Sequence, residues 1–198
     1  MKTKHNILMR SVAAIVLLAL TMAGFAAPVS KKVMIINSYD EGEPWANDLT
    51  TPITMYLATI DSVAGYIVNL DNALISDSVA YNKMVDNVFV QSEADPPSYI
   101  VMLGNFAFTL RDRIKQEWGD VPILLISRLS TFDTVEENFC SHTGIVTNRE
   151  GTPLEDVRDN YNFTAIIVPD HYAETVDMMM RLNPGMTDLV FMADTVYD

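Results

Sequence analysis

The sequence contains a single cysteine, Cys140, among its 198 residues. One thiol excludes an internal disulfide framework, a CxxC redox pair and a zinc site made only of cysteines. Basic residues are also few, because 13 lysines and arginines stand against 26 aspartates and glutamates, which gives a net charge of −13. A chain this acidic lacks the basic face that counterion release requires, so we expect neither nucleic acid nor an anionic membrane surface as its partner.

Motifs of several enzyme classes are missing as well. The sequence has no GxxxxGK(S/T), no GxGxxG after a strand, no GxSxG elbow and no HExxH. Of its three histidines, His5 lies in the signal-like first 26 residues, and His142 and His171 alone make a weak zinc site because there is no third fixed ligand. Cys140 and His142 are too close in sequence to favour a catalytic dyad. We therefore expect no catalytic residues, no metal and no cofactor.

The first 26 residues have the composition of an export signal. Lys2, Lys4 and Arg10 are followed by an almost wholly apolar stretch at 12–23 and then by small residues near Ala26. This order predicts a secretory signal that is cleaved after Ala26, and hence a periplasmic protein. An uncleaved membrane anchor is the alternative, although the apolar run is shorter than the roughly 20 residues of a spanning helix.

The rest of the chain alternates between strand and helix patterns. Its β-branched and aliphatic runs are continuous, as in strands covered on both faces, and segments with helical apolar spacing separate them. This pattern predicts an α/β fold with a doubly wound parallel sheet. The predicted strands are 33–36, 66–68, 99–103, 121–126, 165–168 and 189–192, and the predicted helices include 81–89, 106–114 and 172–180.

Local signals refine the helices and one connection. Asn105 and Asp170 are candidate N-caps for the last two helices. The first helix either begins at Pro52, or begins near Trp45 and kinks at the proline. The polar segment 130–162 exceeds the usual length of a connection, so it is either an insertion with short structure of its own or a functional loop.

Polar residues cluster where the predicted strands end. In an open parallel sheet, ligands bind at the carboxyl ends of the strands, near the point where strand order reverses. Arg128 directly follows a buried strand, and its guanidinium either forks onto a carboxylate or phosphate ligand or pairs with an acidic residue. Trp45 either stacks at the mouth of a cleft or belongs to the core. Helix capping and turn formation are the alternative roles for the small polar residues. The predicted ligand-binding residues are Ser38, Tyr39, Trp45, Asn105, Arg128 and Asp194.

Several segments resemble one known family. The strand end at 35–39, with Trp45 six residues on, is similar to the opening of the periplasmic-binding-protein-like sensor regions of bacterial hybrid sensor histidine kinases, and of related substrate-binding components of ABC transporters. Two cleft positions depart from the family, since Gly104-Asn105 stands where an acidic pair is common and 127–130 where a Gly-rich turn is common. Further similar segments are 99–106, 121–125, 163–167 and Leu182-Asn183-Pro184.

The resemblance implies a type I periplasmic-binding-protein-like N-terminal lobe at 29–185 and the start of a truncated second lobe at 186–198. It implies a piece of a larger protein, the small-molecule-sensing extracytoplasmic region of a two-component sensor histidine kinase. A solute-binding component of an ABC transporter is the alternative, and a small secreted α/β enzyme is a third class. A homodimer is compatible with the resemblance. Contact with a membrane is expected only through other parts of the larger protein or through an uncleaved signal.

Overall fold

The structure, a computed structural model, describes residues 31–92, 95–135, 151–169 and 171–190. The strands are β1 Lys31–Asn37, β2 Val63–Asn69, β3 Tyr99–Leu103, β4 Ile123–Ser127, β5 Thr131–Phe132, β6 Thr152–Pro153 and β7 Phe163–Ile167. The helices are α1 Pro44–Leu57, α2 Ser78–Ser92, α3 Arg111–Trp118 and α4 Tyr172–Leu182, with 3-10 turns at Asn72–Leu74, Phe106–Leu110 and Leu154–Val157.

Five parallel strands form the central sheet, in the order β2-β1-β3-β4-β7. β1 pairs with β2 on one side, where Lys31 lies opposite Val63, and with β3 on the other, where Val33 lies opposite Tyr99. The chain therefore leaves β1 toward one edge of the sheet and then returns to build the other edge, which is a doubly wound arrangement. The predicted α/β class and parallel sheet are confirmed, and each strand predicted before residue 189 is present within a few residues.

The inner strands of the sheet, β1, β3 and β4, are covered on both faces, because successive side chains of each strand point to opposite sides. On one face Met34, Ile36 and Met102 pack with α2 and α3, and on the other face Ile35 and Leu103 pack with α1. All five of these side chains are fully buried. Burial on both faces explains why the strand sequences are continuous apolar runs instead of alternating ones.

Helix α1 begins at Pro44 and not at Pro52. Proline suits the first helical position, and the Glu43 carboxylate accepts a hydrogen bond from the Ala46 N–H at 2.7 Å, so the start of the helix is capped. Pro52 lies inside the helix, where it removes one backbone donor. Of the two predicted starts, the one near Trp45 is confirmed.

The long polar segment after β4 carries short structure of its own. β5 and β6 pair antiparallel, with Thr131 opposite Pro153, and the turn Leu154–Val157 follows directly. Leu154 is buried in the same core as α2 and α3, so this part of the chain packs back against the sheet. The described part of the segment therefore agrees with an insertion that has its own short elements.

Phe108 lies at the centre of the larger core and is fully buried. Its ring centroid is 5.3 Å from that of Phe132 and 5.1 Å from that of Phe163, so it joins the turn after β3 to β5 and β7. The Arg111 guanidinium lies 4.3 Å from the centroid of the Phe132 ring and 5.8 Å from that of Tyr161. A cation held against ring faces is attracted by them, which further fixes the turn that follows β3.

Burial raises the pKa of Tyr161 above its ordinary value of 10.0, a hydrogen bond to Asp112 adds to this effect, and Arg111 opposes it. The unfolded chain therefore loses the phenol proton at a lower pH than the folded chain. The resulting stabilisation is fully present below pH 10.0 and is lost as the pH rises through the raised pKa. In urea titrations between about pH 8 and pH 11, we expect the stability of the wild type to fall relative to that of Tyr161→Phe.

The control for this titration is Tyr56→Phe, which removes a hydroxyl from an exposed ring on α1. Removal of this surface hydroxyl should change the stability by less than about 0.5 kcal/mol. A stability difference between wild type and Tyr161→Phe that does not change with pH would contradict the assigned pKa shift.

The last described segment contains a confirmed helix and a strand prediction that is not met. Helix α4 corresponds to the predicted helix at 172–180, although none of its residues is buried. Leu189 and Val190, which were expected to open a strand, are exposed and belong to none. A run of apolar residues gains no ladder hydrogen bonds without a neighbouring strand, and no described strand pairs with these two.

Some of the predicted features lie outside the residues that the structure describes. The features outside the described residues are the signal segment 1–26, Cys140, His142, Asp170, residues 191–192 and Asp194. Within the described ranges, no helix is both long enough and apolar enough to cross a membrane.

Candidate functional site

The candidate site lies at the carboxyl ends of β1, β3 and β4, where strand order reverses. The chain leaves β1 toward β2 and leaves β3 toward β4, so the loops after β1 and β3 diverge and open a crevice. Ser38 and Tyr39 directly follow β1, and Asn105 is the second residue after β3. Arg128 directly follows β4, and Trp45 lies in the first turn of α1. The structure thus brings five of the six predicted residues to one edge of the sheet.

Ser38, Asn105 and Ser127 form the buried layer of this edge, and each is at most 5% exposed. Ser38 Oγ accepts a hydrogen bond from the Ala107 N–H at 2.9 Å. Asn105 accepts one from the Ser127 hydroxyl and donates one to the Thr131 carbonyl oxygen at 2.5 Å. These polar groups hold the loops together from inside, as buried polar atoms must be paired to offset their loss of water.

Asn105 precedes the turn Phe106–Leu110, but its side chain makes no capping hydrogen bond there. Asn105 therefore occupies the predicted N-cap position, but its side chain does not cap the turn. The amide is instead bonded to Ser127, 22 residues away, and to Thr131, 26 residues away. Contacts across the fold have replaced the local bond that the sequence pattern indicates.

Tyr39, Trp45 and Arg128 form a second layer of the site, which we call the aromatic wall; Trp45 and Arg128 are half-buried, and Tyr39 is buried. The ring centroids of Tyr39 and Trp45 are 5.7 Å apart, and the rings are nearly perpendicular, at 79°. The guanidinium carbon of Arg128 lies 5.5 Å from the centroid of the Trp45 ring. Edge-to-face rings and a guanidinium over an indole are attractive arrangements, so the three side chains support one another.

Trp45 belongs to the core, which is one of the two roles that the sequence left open. The side chain is half-buried and packs against the core on the α1 face of the sheet, among residues that include Ile35 and Leu103. The same ring contacts Tyr39 and Arg128 at the edge of the site. The core thereby fixes the position of the indole before any ligand arrives.

Gly104 permits the close approach between the two layers. Its φ is +80°, a left-handed value that residues with a side chain rarely adopt. A β-carbon at this position would lie 2.8 Å from Ser38 Oγ and 2.9 Å from the Tyr39 hydroxyl oxygen. Glycine therefore allows Tyr39 to reach across the end of β3. The sequence signal for this role is a glycine directly after a buried strand.

The acidic loop at 40–43 borders the aromatic wall but is engaged in local structure. An Asp40 carboxylate oxygen accepts a hydrogen bond from the Gly42 N–H at 2.5 Å, and the Glu43 carboxylate caps α1. Among the residues that the structure describes, no three histidine, cysteine, aspartate or glutamate side chains come together as a metal site. This edge of the sheet has an apolar surface with a guanidinium group beside it, which suits a small carboxylate-bearing solute.

A concave surface of about 290 Å³ lies along β7, and none of the residues of the aromatic wall lines it. Leu154, Arg158, Phe163 and Ile167 are among the residues that line it. The sequence did not indicate this groove, because residues 154–158 fall in a segment without helical or strand periodicity. We place the ligand site at the aromatic wall, where strand order reverses and polar groups from separate loops converge.

Comparisons with family models, curated proteins and solved structures find no match to this chain. The function of this chain is therefore inferred from the residues of the candidate site and from the sequence resemblance.

Proposed function

We propose that this chain is an extracytoplasmic lobe that binds a small organic anion and serves as the sensing region of a two-component histidine kinase. The observation that carries the binding proposal is the position of Arg128 over Trp45, beside Tyr39, where the strand order reverses. The sensing role rests on the resemblance of segments such as 35–39, and export to the periplasm rests on the signal-like composition of residues 1–26.

The fold that we propose is the N-terminal lobe of a type I periplasmic-binding protein. The doubly wound parallel sheet, with strand order β2-β1-β3-β4-β7, supports this assignment. In such a lobe the ligand contacts the carboxyl edge of the sheet, which is the edge that carries the aromatic wall. Trp45 and Arg128 would then form part of one side of a ligand cleft.

The two layers of the site have different roles in the proposed binding of the solute. The guanidinium of Arg128 binds the carboxylate of the solute with two parallel hydrogen bonds, and the half-buried Trp45 covers its apolar part. The buried Tyr39 supports the Trp45 ring. Ser38 and Asn105 bind no solute directly, because their hydrogen bonds within the protein hold the loops that carry the wall. Loops fixed in advance lower the entropy cost of binding, since few side chains have to be ordered by the ligand.

Removing the Arg128 guanidinium should remove most of the binding. From a panel of amino acids, small carboxylates and sugars, we expect carboxylate-bearing members to raise the melting temperature, because a ligand that binds only the folded state stabilises it. A hydrogen bond to a charged group contributes about 1.5–3 kcal/mol, so Arg128→Ala should weaken the affinity measured by calorimetry about tenfold to a hundredfold. Arg128→Lys should restore only part of it, because an ammonium group lacks the planar fork.

The matched control is Arg181→Ala, which removes the same charge from α4, where the exposed Arg181 is paired with Asp177. This variant should bind as the wild type does. The proposal fails if no carboxylate-bearing solute shifts the melting temperature, or if Arg128→Ala and Arg181→Ala bind the solute equally well.

A further inference from the structure

The outer edge of β7, the last strand of the sheet, presents backbone groups that the sheet itself does not use. The register between β4 and β7 is fixed, and the Val168 N–H donates to the Ser127 carbonyl oxygen at 2.8 Å. In a parallel pair, alternate residues bond to the same neighbour. The N–H and C=O groups of Phe163, Ala165 and Ile167 therefore point away from β4.

This edge is open within the described residues. The Phe163 N–H donates to the Tyr161 carbonyl oxygen at 3.0 Å, but the backbone groups of Ala165 and Ile167 have no partner there. The side chains are open as well, since Ile167 is 36% exposed and Ile166 is 48% exposed. An unpaired, uncharged strand edge of this kind is a template for a further strand.

The edge of β7 is complementary to a second copy of itself. If two copies meet antiparallel about a two-fold axis at Ala165, Ala165 exchanges two hydrogen bonds with Ala165 of the other copy. Phe163 lies opposite Ile167 of the other copy and accepts one hydrogen bond from its N–H, because the Phe163 N–H is already bonded to Tyr161. These are the residues whose backbone groups point outward, so the register fits without a bulge. Their side chains lie on one face of the combined sheet and form a continuous apolar strip.

Charge favours the same contact. The groove of about 290 Å³ beside β7 has Glu155 and Arg158 among its lining residues, and no described residue forms an ion pair with either. A two-fold contact presents the same groove from both sides, so the acid of one copy can meet the base of the other. β7 itself has no charged residue in a chain of net charge −13, so two copies approach here with less repulsion than elsewhere.

We propose that two copies of this chain associate through the outer edge of β7 and form a symmetric dimer whose sheet runs through both copies. The aromatic wall takes no part in this contact, so dimerisation and ligand binding are separate properties. An edge contact is smaller than a standard interface of about 1,600 Å², so the dimer should dissociate in the micromolar range.

Sedimentation velocity of the folded chain over a concentration series tests the proposal. We expect a concentration-dependent species with twice the 22.1 kDa mass of the chain. Ile167→Lys places a charge on the apolar strip, opposite Phe163 of the other copy, and should raise the dissociation constant of the dimer at least about tenfold. Ile67→Lys is the matched control, because Ile67 lies on the other edge strand, β2, and is 42% exposed; it should leave the dimer unchanged.

A second test exchanges the charges of Glu155 and Arg158 in the groove beside β7, and it leaves the sequence of β7 unchanged. Glu155→Arg and Arg158→Glu should each weaken the dimer about threefold to tenfold, because like charges then face each other. The double variant should return to within about twofold of the wild type. Circular dichroism establishes that each variant is folded. The proposal is overturned by a chain that stays monomeric throughout the series, by equal effects of Ile167→Lys and Ile67→Lys, or by a double variant no tighter than the single ones.

Discussion

Phe108→Ala should lower the free energy of unfolding by about 3–5 kcal/mol, the usual cost of deleting a fully buried phenyl ring. Phe108 is 0% exposed, and its ring contacts Phe132 and Phe163, which come from two other parts of the chain. A cavity here cannot close by moving one side chain, because the surrounding rings are held by separate strands. Urea denaturation followed by circular dichroism measures the loss.

Two further variants separate the effect of the cavity from other effects at Phe108. Phe108→Leu keeps most of the apolar volume and should recover more than half of the lost stability, since volume-conserving changes cost less than about 1.5 kcal/mol. Tyr56→Ala removes a ring that is 68% exposed and should change stability by less than about 0.5 kcal/mol. A Phe108→Ala variant no less stable than Tyr56→Ala would show that this ring is not the centre of the core.

Gly104→Ala should lower the free energy of unfolding by about 2–5 kcal/mol, from two sources that add. The positive φ of +80° is unfavourable for a residue with a β-carbon, by about 1–2 kcal/mol. The new methyl group also overlaps Ser38 Oγ at 2.8 Å and the Tyr39 hydroxyl at 2.9 Å, and overpacking of this kind costs about 1–3 kcal/mol. Thermal and urea unfolding both report the change.

A double-mutant cycle with Tyr39→Phe tests whether the overlap is real. Deleting the Tyr39 hydroxyl removes one of the two close contacts, so Gly104→Ala should cost at least about 0.5 kcal/mol less in that background. The same cost in both backgrounds would mean that the backbone alone accounts for the glycine. Because Tyr39 supports Trp45, Gly104→Ala should also reduce the thermal shift produced by the solute.

The class of fold could be predicted from the sequence because burial leaves a direct mark on composition. Runs such as 33–36 and 99–103 are apolar at every position, and the structure covers both faces of β1 and β3. The order of the strands leaves no such mark. Nothing in the local pattern states that β3 pairs with β1 and not with β2, since that choice depends on how the connecting helices pack.

The residues of the candidate site could be predicted from the sequence, but the role of each residue could not. The rule that ligands meet the carboxyl ends of parallel strands selected Ser38, Asn105 and Arg128. It could not distinguish Asn105, which is buried and bonded to Ser127, from Arg128, which lies over Trp45 at the outer edge. That distinction depends on contacts between residues far apart in the chain, and so does the groove along β7.

The strand order also has a consequence for synthesis on the ribosome. β1 is an inner strand of the sheet; its partner in β2 lies 32 residues away, as between Asn37 and Asn69, whereas contacts on its other side span 66 residues, as between Lys32 and Ser98. At a translation rate of about 5–20 residues per second, β3 is completed about 2–7 seconds after β2. During that interval, the edge of β1 that later pairs with β3 has no partner strand in the nascent chain. A chaperone that binds apolar strands can bind β1 at this stage.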